Sequence, residues 1–241
     1  MNYLHIFLNY FLLFFIYSVI GWIAESIYVS ILEKRLVNRG FLIGPYCPIY
    51  GFGSVLMILY LTQYKNNLLT VFLLGMFICC LLEYITSYLM EKIFRARWWD
   101  YSDKKYNLNG RICGENALLF GLGGIIIIYI LNPFVEKLIG LFNPIVVLII
   151  TIIFLIIYII DAILSFNIIN KLKSNINTMN VNSDSTQELK GLVSAIINSN
   201  IEARKIRLSV FQRRIIKAFP NINLSDFIDN NRKSIRKLLN K

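Results

Sequence analysis

Glu25 and Glu83 each stand inside a long apolar run, and each is followed eight residues later by a Glu-Lys pair, Glu33-Lys34 and Glu91-Lys92. A carboxylate in hydrocarbon costs roughly 2.5–3.5 kcal/mol on insertion scales. Such residues therefore face a bundle interior, a wet cavity or a partner, where they bind cations, relay protons or lock helices together. Asp161 lies in another apolar run, and Glu115 opens a fourth. Two cations are placed to answer them. Arg39 and Arg111 each lie beside a glycine and an asparagine just ahead of an apolar run, and Arg111 precedes Glu115 by four residues, a helical-neighbour spacing that predicts an ion pair. Glu25, Glu83, Glu115, Asp161, Arg39 and Arg111 are thus the candidates for a substrate or ion pathway. A structural polar cluster is the competing reading. Arg35, Lys92 and Arg95 read instead as interfacial side chains reaching to water.

Other chemistry finds little footing. The lone histidine, His5, lies across the expected membrane from Cys47 and Cys113, so no thiol or hydroxyl nucleophile has a histidine base. Cys79 and Cys80 are adjacent in an apolar run, and no CxxC or CxxH spacing suggests zinc or a disulfide framework. There is no GxxxxGK[ST] loop for ATP. The expectation is a protein that is not an enzyme and carries no cofactor or metal. A carboxylate pair acting on lipid is the enzymatic alternative left open.

These charges must be positioned by membrane helices. The 241 residues are 56% hydrophobic and 16% charged, and five segments reach the ~20 apolar residues that cross a bilayer. They run over about 6–32, 46–64, 68–90, 115–131 and 144–169, giving an all-α polytopic membrane protein. Ser18, Gly21, Glu25 and Tyr28 share one helical face, as do Gly75, Cys79, Glu83 and Thr86. Small residues on those faces permit close helix approach. Glu25 and Glu83 are then expected to face the bundle, ~12 Å above the end of their spans. The run 38–53 holds four glycines and two prolines and predicts an irregular or re-entrant lead into the second span, or else a tight loop. Trp98, Trp99 and Tyr101 among basic residues predict an interfacial anchor.

Basic residues cluster after span 1 (Lys34, Arg35, Arg39) and after span 3 (Lys92, Arg95, Arg97, Lys104, Lys105, Arg111), while the alternate loops hold Lys65 and Lys137. The positive-inside rule places the N-terminus outside and the C-terminus in the cytoplasm. The first ten residues carry no basic residue and no cleavage site follows, so span 1 is expected to persist. Residues 1–170 form the transmembrane domain, 171–184 a linker and 185–241 a basic helical tail. From Lys171 onward 14 lysines and arginines face 5 acids, a net +9 of the chain's +11. An apolar stripe from Leu189 to Ile215 predicts an amphipathic helix, and a shorter one follows Ser225. Arg204, Lys205, Arg207, Arg213, Arg214 and Lys217 are candidates for docking on anionic inner-leaflet lipid, a nearer polyanion than nucleic acid.

With an offset of 58, residues 23–34 lie over 81–92, apolar for apolar and acid for acid. Two parallel hairpin repeats plus a fifth span would explain this, and so would chance likeness between hairpins rich in Ile, Leu, Glu and Lys. The strings Gly21-Trp22-Ile23-Ala24-Glu25, Asn38-Arg39-Gly40-Phe41-Leu42, Gly44-Pro45-Tyr46-Cys47-Pro48-Ile49-Tyr50-Gly51-Phe52-Gly53, Trp98-Trp99-Asp100-Tyr101-Ser102 and Asn107-Leu108-Asn109-Gly110-Arg111-Ile112-Cys113 resemble those of the type IV ABC-transporter (CmpB-like) family of bacterial membrane proteins. The resemblance spans residues 8 to 165. It implies a permease-like transport subunit that relies on a separate ATPase, and it carries no substrate or site residues with it. The alternative is a non-transporting scaffold or regulator presenting the basic tail to a partner. Substrate and homo-oligomeric state are left open.

Overall fold

The computed structural model describes residues 3–94 and 98–179, with backbone alone at 94 and 169–179. Among them every element is helical: α1 (Tyr3–Glu33), α2 (Pro48–Leu61), α3 (Leu68–Phe94), α4 (Gly114–Ile126), α5 (Asn132–Gly140) and α6 (Pro144–Met179). Four stretches are long and apolar enough to cross a membrane: Tyr3–Glu33, Leu68–Ile93, Gly114–Gly140 and Pro144–Ile168. The expected second span is a 14-residue helix followed by a 3₁₀ turn, Thr62–Tyr64. At 1.5 Å per residue α2 measures ~21 Å, short of a ~30 Å hydrocarbon layer. Its length is limited by the Gly- and Pro-rich residues before it, which leave 35–47 without helix and let Pro48 open α2 at the first turn, where its missing N–H costs nothing.

The expected fourth span ends at Leu131, ahead of Pro133. The chain instead continues through a π-helical turn, Ile127–Leu131, into α5. Proline has no N–H for the preceding turn, and a wide turn lets the helix pass it without breaking. α6 runs past 169 to Met179, into the expected linker. The remainder of that linker, the tail helices and Arg204, Lys205, Arg207, Arg213, Arg214 and Lys217 lie outside the described residues.

The core joins α1, α2, α3 and the π turn with α5 through Leu13, Tyr17, Met57, Ile58, Leu61, Val71, Ile128 and Val135. α6 stacks Phe154 on Phe15 of α1, centroids 4.5 Å apart, and sets Tyr158 edge-on to Phe14. The bundle has two distinct ends. At one, Trp98 packs with Phe41, Met90, Trp99 and Ile168, bringing together the chain before α2, the chain after α3 and the lower part of α6. At the other, the Tyr129 hydroxyl donates to the Lys65 carbonyl at 2.6 Å, tying the α2–α3 turn to the π turn. α2 therefore runs antiparallel to α1 and α3, from the level of Ser18 at the middle of α1, where the Cys47 amide meets the Ser18 carbonyl, to the α2–α3 turn.

Candidate functional site

The α1 face bearing Glu25 is built by absence of side chain. Gly21 lies one turn before Glu25, and a Cβ there would strike the Tyr50 ring of α2; Gly51 likewise rests on Ser18 and the Phe14 carbonyl. Small residues thus let α1 and α2 approach closely, which brings Tyr50 within electrostatic and hydrogen-bonding reach of Glu25. Buried Ser18 and Gly21 match the predicted face, whereas Tyr28 is exposed.

The strand-like residues after α1 fold back along it. Trp22 Nε1 donates to Asn38 Oδ1 at 2.9 Å, Ser30 Oγ accepts from the Val37 amide at 3.0 Å, and Ser26 Oγ accepts from the Arg39 amide at 3.3 Å. Gly40 turns the chain at φ 130°, a backbone that L side chains rarely adopt. The result seats the Arg39 guanidinium on Glu25 Oε1, with Nε and Nη2 both at 3.0 Å. The partnership of Arg39 with Glu25 is the ion pair that the loop position foreshadowed.

On α3 the buried face runs Val71, Gly75, Glu83, Ser87, with half-buried Cys79 between. Thr86, expected on that face, is displaced by Ser87. Gly75 meets Gly124 of α4 backbone to backbone, so α3 and α4 cross at close range. Glu83 is 7% exposed. Its Oε1 accepts from the Tyr101 hydroxyl at 3.2 Å, while Oε2 is buried with no hydrogen-bond donor. Asn116 of α4 stands beside this carboxylate, and Glu25 is close enough to exert its charge on it. Tyr101 and Asn116 thus border the Glu83 carboxylate, Tyr50 borders Glu25, and the two glutamates lie within electrostatic range of each other.

Tyr101 belongs to a compact loop. Its amide donates to the Gly110 carbonyl at 2.8 Å, Asn107 Nδ2 binds the Ser102 and Lys104 carbonyls, and Leu108 bridges Ile112. The expectation of an interfacial anchor is corrected here: Trp98 is buried, Trp99 Nε1 donates to the Arg111 carbonyl at 3.2 Å, and Tyr101 covers Glu83. Burial and the neighbouring Glu83 carboxylate push the Tyr101 phenol above its usual range, so it is a lasting donor.

Arg111 does not pair with Glu115. It meets Glu91 at 2.7 Å and Ser87 Oγ at 3.2 Å, and lies over the Tyr84 and Tyr88 rings. The helical-neighbour argument fails because α4 starts only at Gly114, leaving Arg111 in the loop. Glu115 is exposed and takes Lys104 at 3.0 Å, which draws the lysine above its ordinary range. A groove of about 650 Å³ lined by Met76, Lys104, Tyr106, Glu115 and Leu118 lies on that outer side. Asp161 is also separate. It accepts from the Ile43 and Gly44 amides at 3.0 and 2.7 Å, from Ser165 Oγ at 2.8 Å and from the Tyr46 hydroxyl. It ties the irregular chain before α2 to α6. Sequence reasoning missed Tyr50, Tyr101 and Asn116 as partners, since their types and spacing mark nothing until the helices pack.

Comparison with curated proteins and with solved structures returned no match. A family model described as Putative ABC-transporter type IV matches residues 12–166, which contain α2, α3, α4 and α5 and most of α1 and span both glutamates. With well over half of its length under that match, this helical membrane protein belongs to the type IV ABC-transporter family.

Proposed function

We propose that this chain is a permease-type membrane subunit that works with a separate ATPase, and that the Glu25–Glu83 site is the polar element of its pathway. Family membership supports the transporter class. The observation that carries the site is Glu83, a buried carboxylate with one oxygen unpartnered and a second carboxylate, Glu25, within electrostatic range. Structural ion pairs are closed on themselves, as Arg39 closes Glu25 and Arg111 closes Glu91. Glu83 is left with binding capacity.

In this reading α2, together with the irregular chain before it, crosses the membrane as a fifth element. Non-helical backbone at that depth is tolerated because protein covers it, and Leu42, Tyr46 and Cys47 are buried. The basic loops and the C-terminus face the cytoplasm, where an ATPase docks and the basic tail meets anionic lipid.

The test is purification of the full chain from its own membrane in mild detergent, followed by identification of co-purifying proteins. A nucleotide-binding ATPase in stoichiometric amount is expected. Reproducible recovery without one would overturn the permease reading in favour of a non-transporting scaffold.

A further inference from the structure

Glu83 is buried in its helix with no answering cation, and unlike Asp161, whose two oxygens take four donors, it keeps one oxygen unpartnered. Arg39 is held by Glu25, and Arg111 is held by Glu91 and Ser87 beneath two tyrosine rings. Among the described residues no ion pair includes Glu83. The groups that face it are Glu25 from α1, with Tyr50 of α2 alongside, Tyr101 and Cys113 from the chain before α4, Asn116 from α4, and Cys79 and Cys80 on its own helix. None of these is a cation. One is a second anion.

A metal ion would require more ligands than the site offers. Among the described residues no three His, Cys, Asp or Glu side chains are placed to hold one. A proton requires no added volume, and Oε2 lies at a buried position that meets no donor. An isolated buried carboxylate neutralises itself rather than bear the desolvation of its charge. The Tyr101 hydroxyl donates to Oε1, so Oε1 acts as the carbonyl oxygen and Oε2 as the hydroxyl. The Asn116 side chain stands beside the same carboxylate.

We propose that Glu83 is a proton-binding site inside the membrane domain, with the proton on Oε2, the Tyr101 hydroxyl donating to Oε1 and Asn116 beside it. Binding and release there switch the net charge of the Glu25–Glu83–Arg39 group between zero and minus one. Such a switch at the crossing of α1, α2, α3 and α4 gives a transport subunit a proton-linked step. The inference rests on the two glutamates lying within electrostatic range of each other and does not depend on an ATPase.

Infrared spectroscopy of the purified full-length protein in lipid nanodiscs at neutral pH reads this directly. The wild type should show a carboxylic-acid carbonyl band that shifts in D₂O. Glu83→Gln should abolish the band, and Glu25→Gln should leave it in place. Tyr101→Phe should move it to higher wavenumber, because removing a hydrogen bond to the carbonyl oxygen stiffens that bond. This variant decides the matter even if Glu83→Gln fails to accumulate. Absence of the band in wild type, its survival in Glu83→Gln or its indifference to Tyr101→Phe would each overturn the proposal. Loss of an ATPase partner in the purification above would overturn the permease reading and leave this one standing.

Discussion

Asp161 and Glu83 are both carboxylates within apolar helices, yet their surroundings assign them opposite tasks. Asp161 is met by two backbone amides and two hydroxyls, all donors, and so is fixed as an anion that locks the chain at Ile43 and Gly44 to α6. Hydrogen bonds to a charged group contribute ~1.5–3 kcal/mol each. Asp161→Asn keeps one acceptor but turns an NH₂ toward the donors of Gly44 and Tyr46, or of Ile43 and Ser165. It should lower stability by about 2–3 kcal/mol and release the segment that buries Cys47. The check is maleimide labelling of Cys47 with Cys79, Cys80 and Cys113 replaced by alanine. Labelling as slow as in the parent would show that Asp161 does not hold the segment. At this scale both carboxylates stand out in the sequence, because an acid in an apolar run is conspicuous. The sequence could not rank them, because three of the four donors to Asp161 lie well over a hundred residues away in the chain and Tyr101 reads on composition as a surface aromatic.

Elements were legible where periodicity and length act together, and were not where the chain departs from ideal helix. The long apolar runs of α1, α3 and α6 follow directly from composition. α2 did not, because the glycine- and proline-rich residues before it leave 35–47 without helix and shorten the element. Nor did the π turn, since a proline marks the end of a run equally well when the helix stops and when it widens. The α1–α2 contact is the element-scale feature on which the site depends, for it carries Tyr50 to Glu25. Gly21→Ala drives a methyl into the Tyr50 ring, and overpacking of this kind typically costs ~1–3 kcal/mol. In a Tyr50→Ala background the same change should cost close to nothing, because the obstructing ring is gone. Thermal unfolding of the four proteins in detergent measures the coupling. Equal costs in both backgrounds would mean that α1 and α2 do not meet at Gly21.

For the whole molecule, the decisive matter is whether α2 crosses or turns back. Four crossings with the N-terminus inside would place Asn66 outside and the Lys104-Lys105 loop inside, as five crossings with the N-terminus outside also do. Those positions alone cannot separate the two. The Lys34-Arg35 turn can, because four crossings put it outside and five put it inside. Trp98 packs on Phe41 and Ile168, so the chain before α2 and the chain after α3 meet at one end of the bundle. Two segments in contact lie on one side of the membrane, and the helices between them must cross an even number of times. The same end gathers Lys34, Arg35, Arg39, Lys104, Lys105 and Arg111, the basic majority of the inter-helix chain, which the positive-inside rule assigns to the cytoplasm. Single cysteines at Arg35, Asn66 and Lys104, each in a protein otherwise free of cysteine, should therefore behave as follows with an impermeant maleimide on intact cells. The site at 66 labels, while those at 35 and 104 label only after the membrane is opened. Labelling at 35 from outside would show that α2 turns back, and with it the irregular chain held by Asp161 would belong to the outer face rather than to the cytoplasmic mouth of the site.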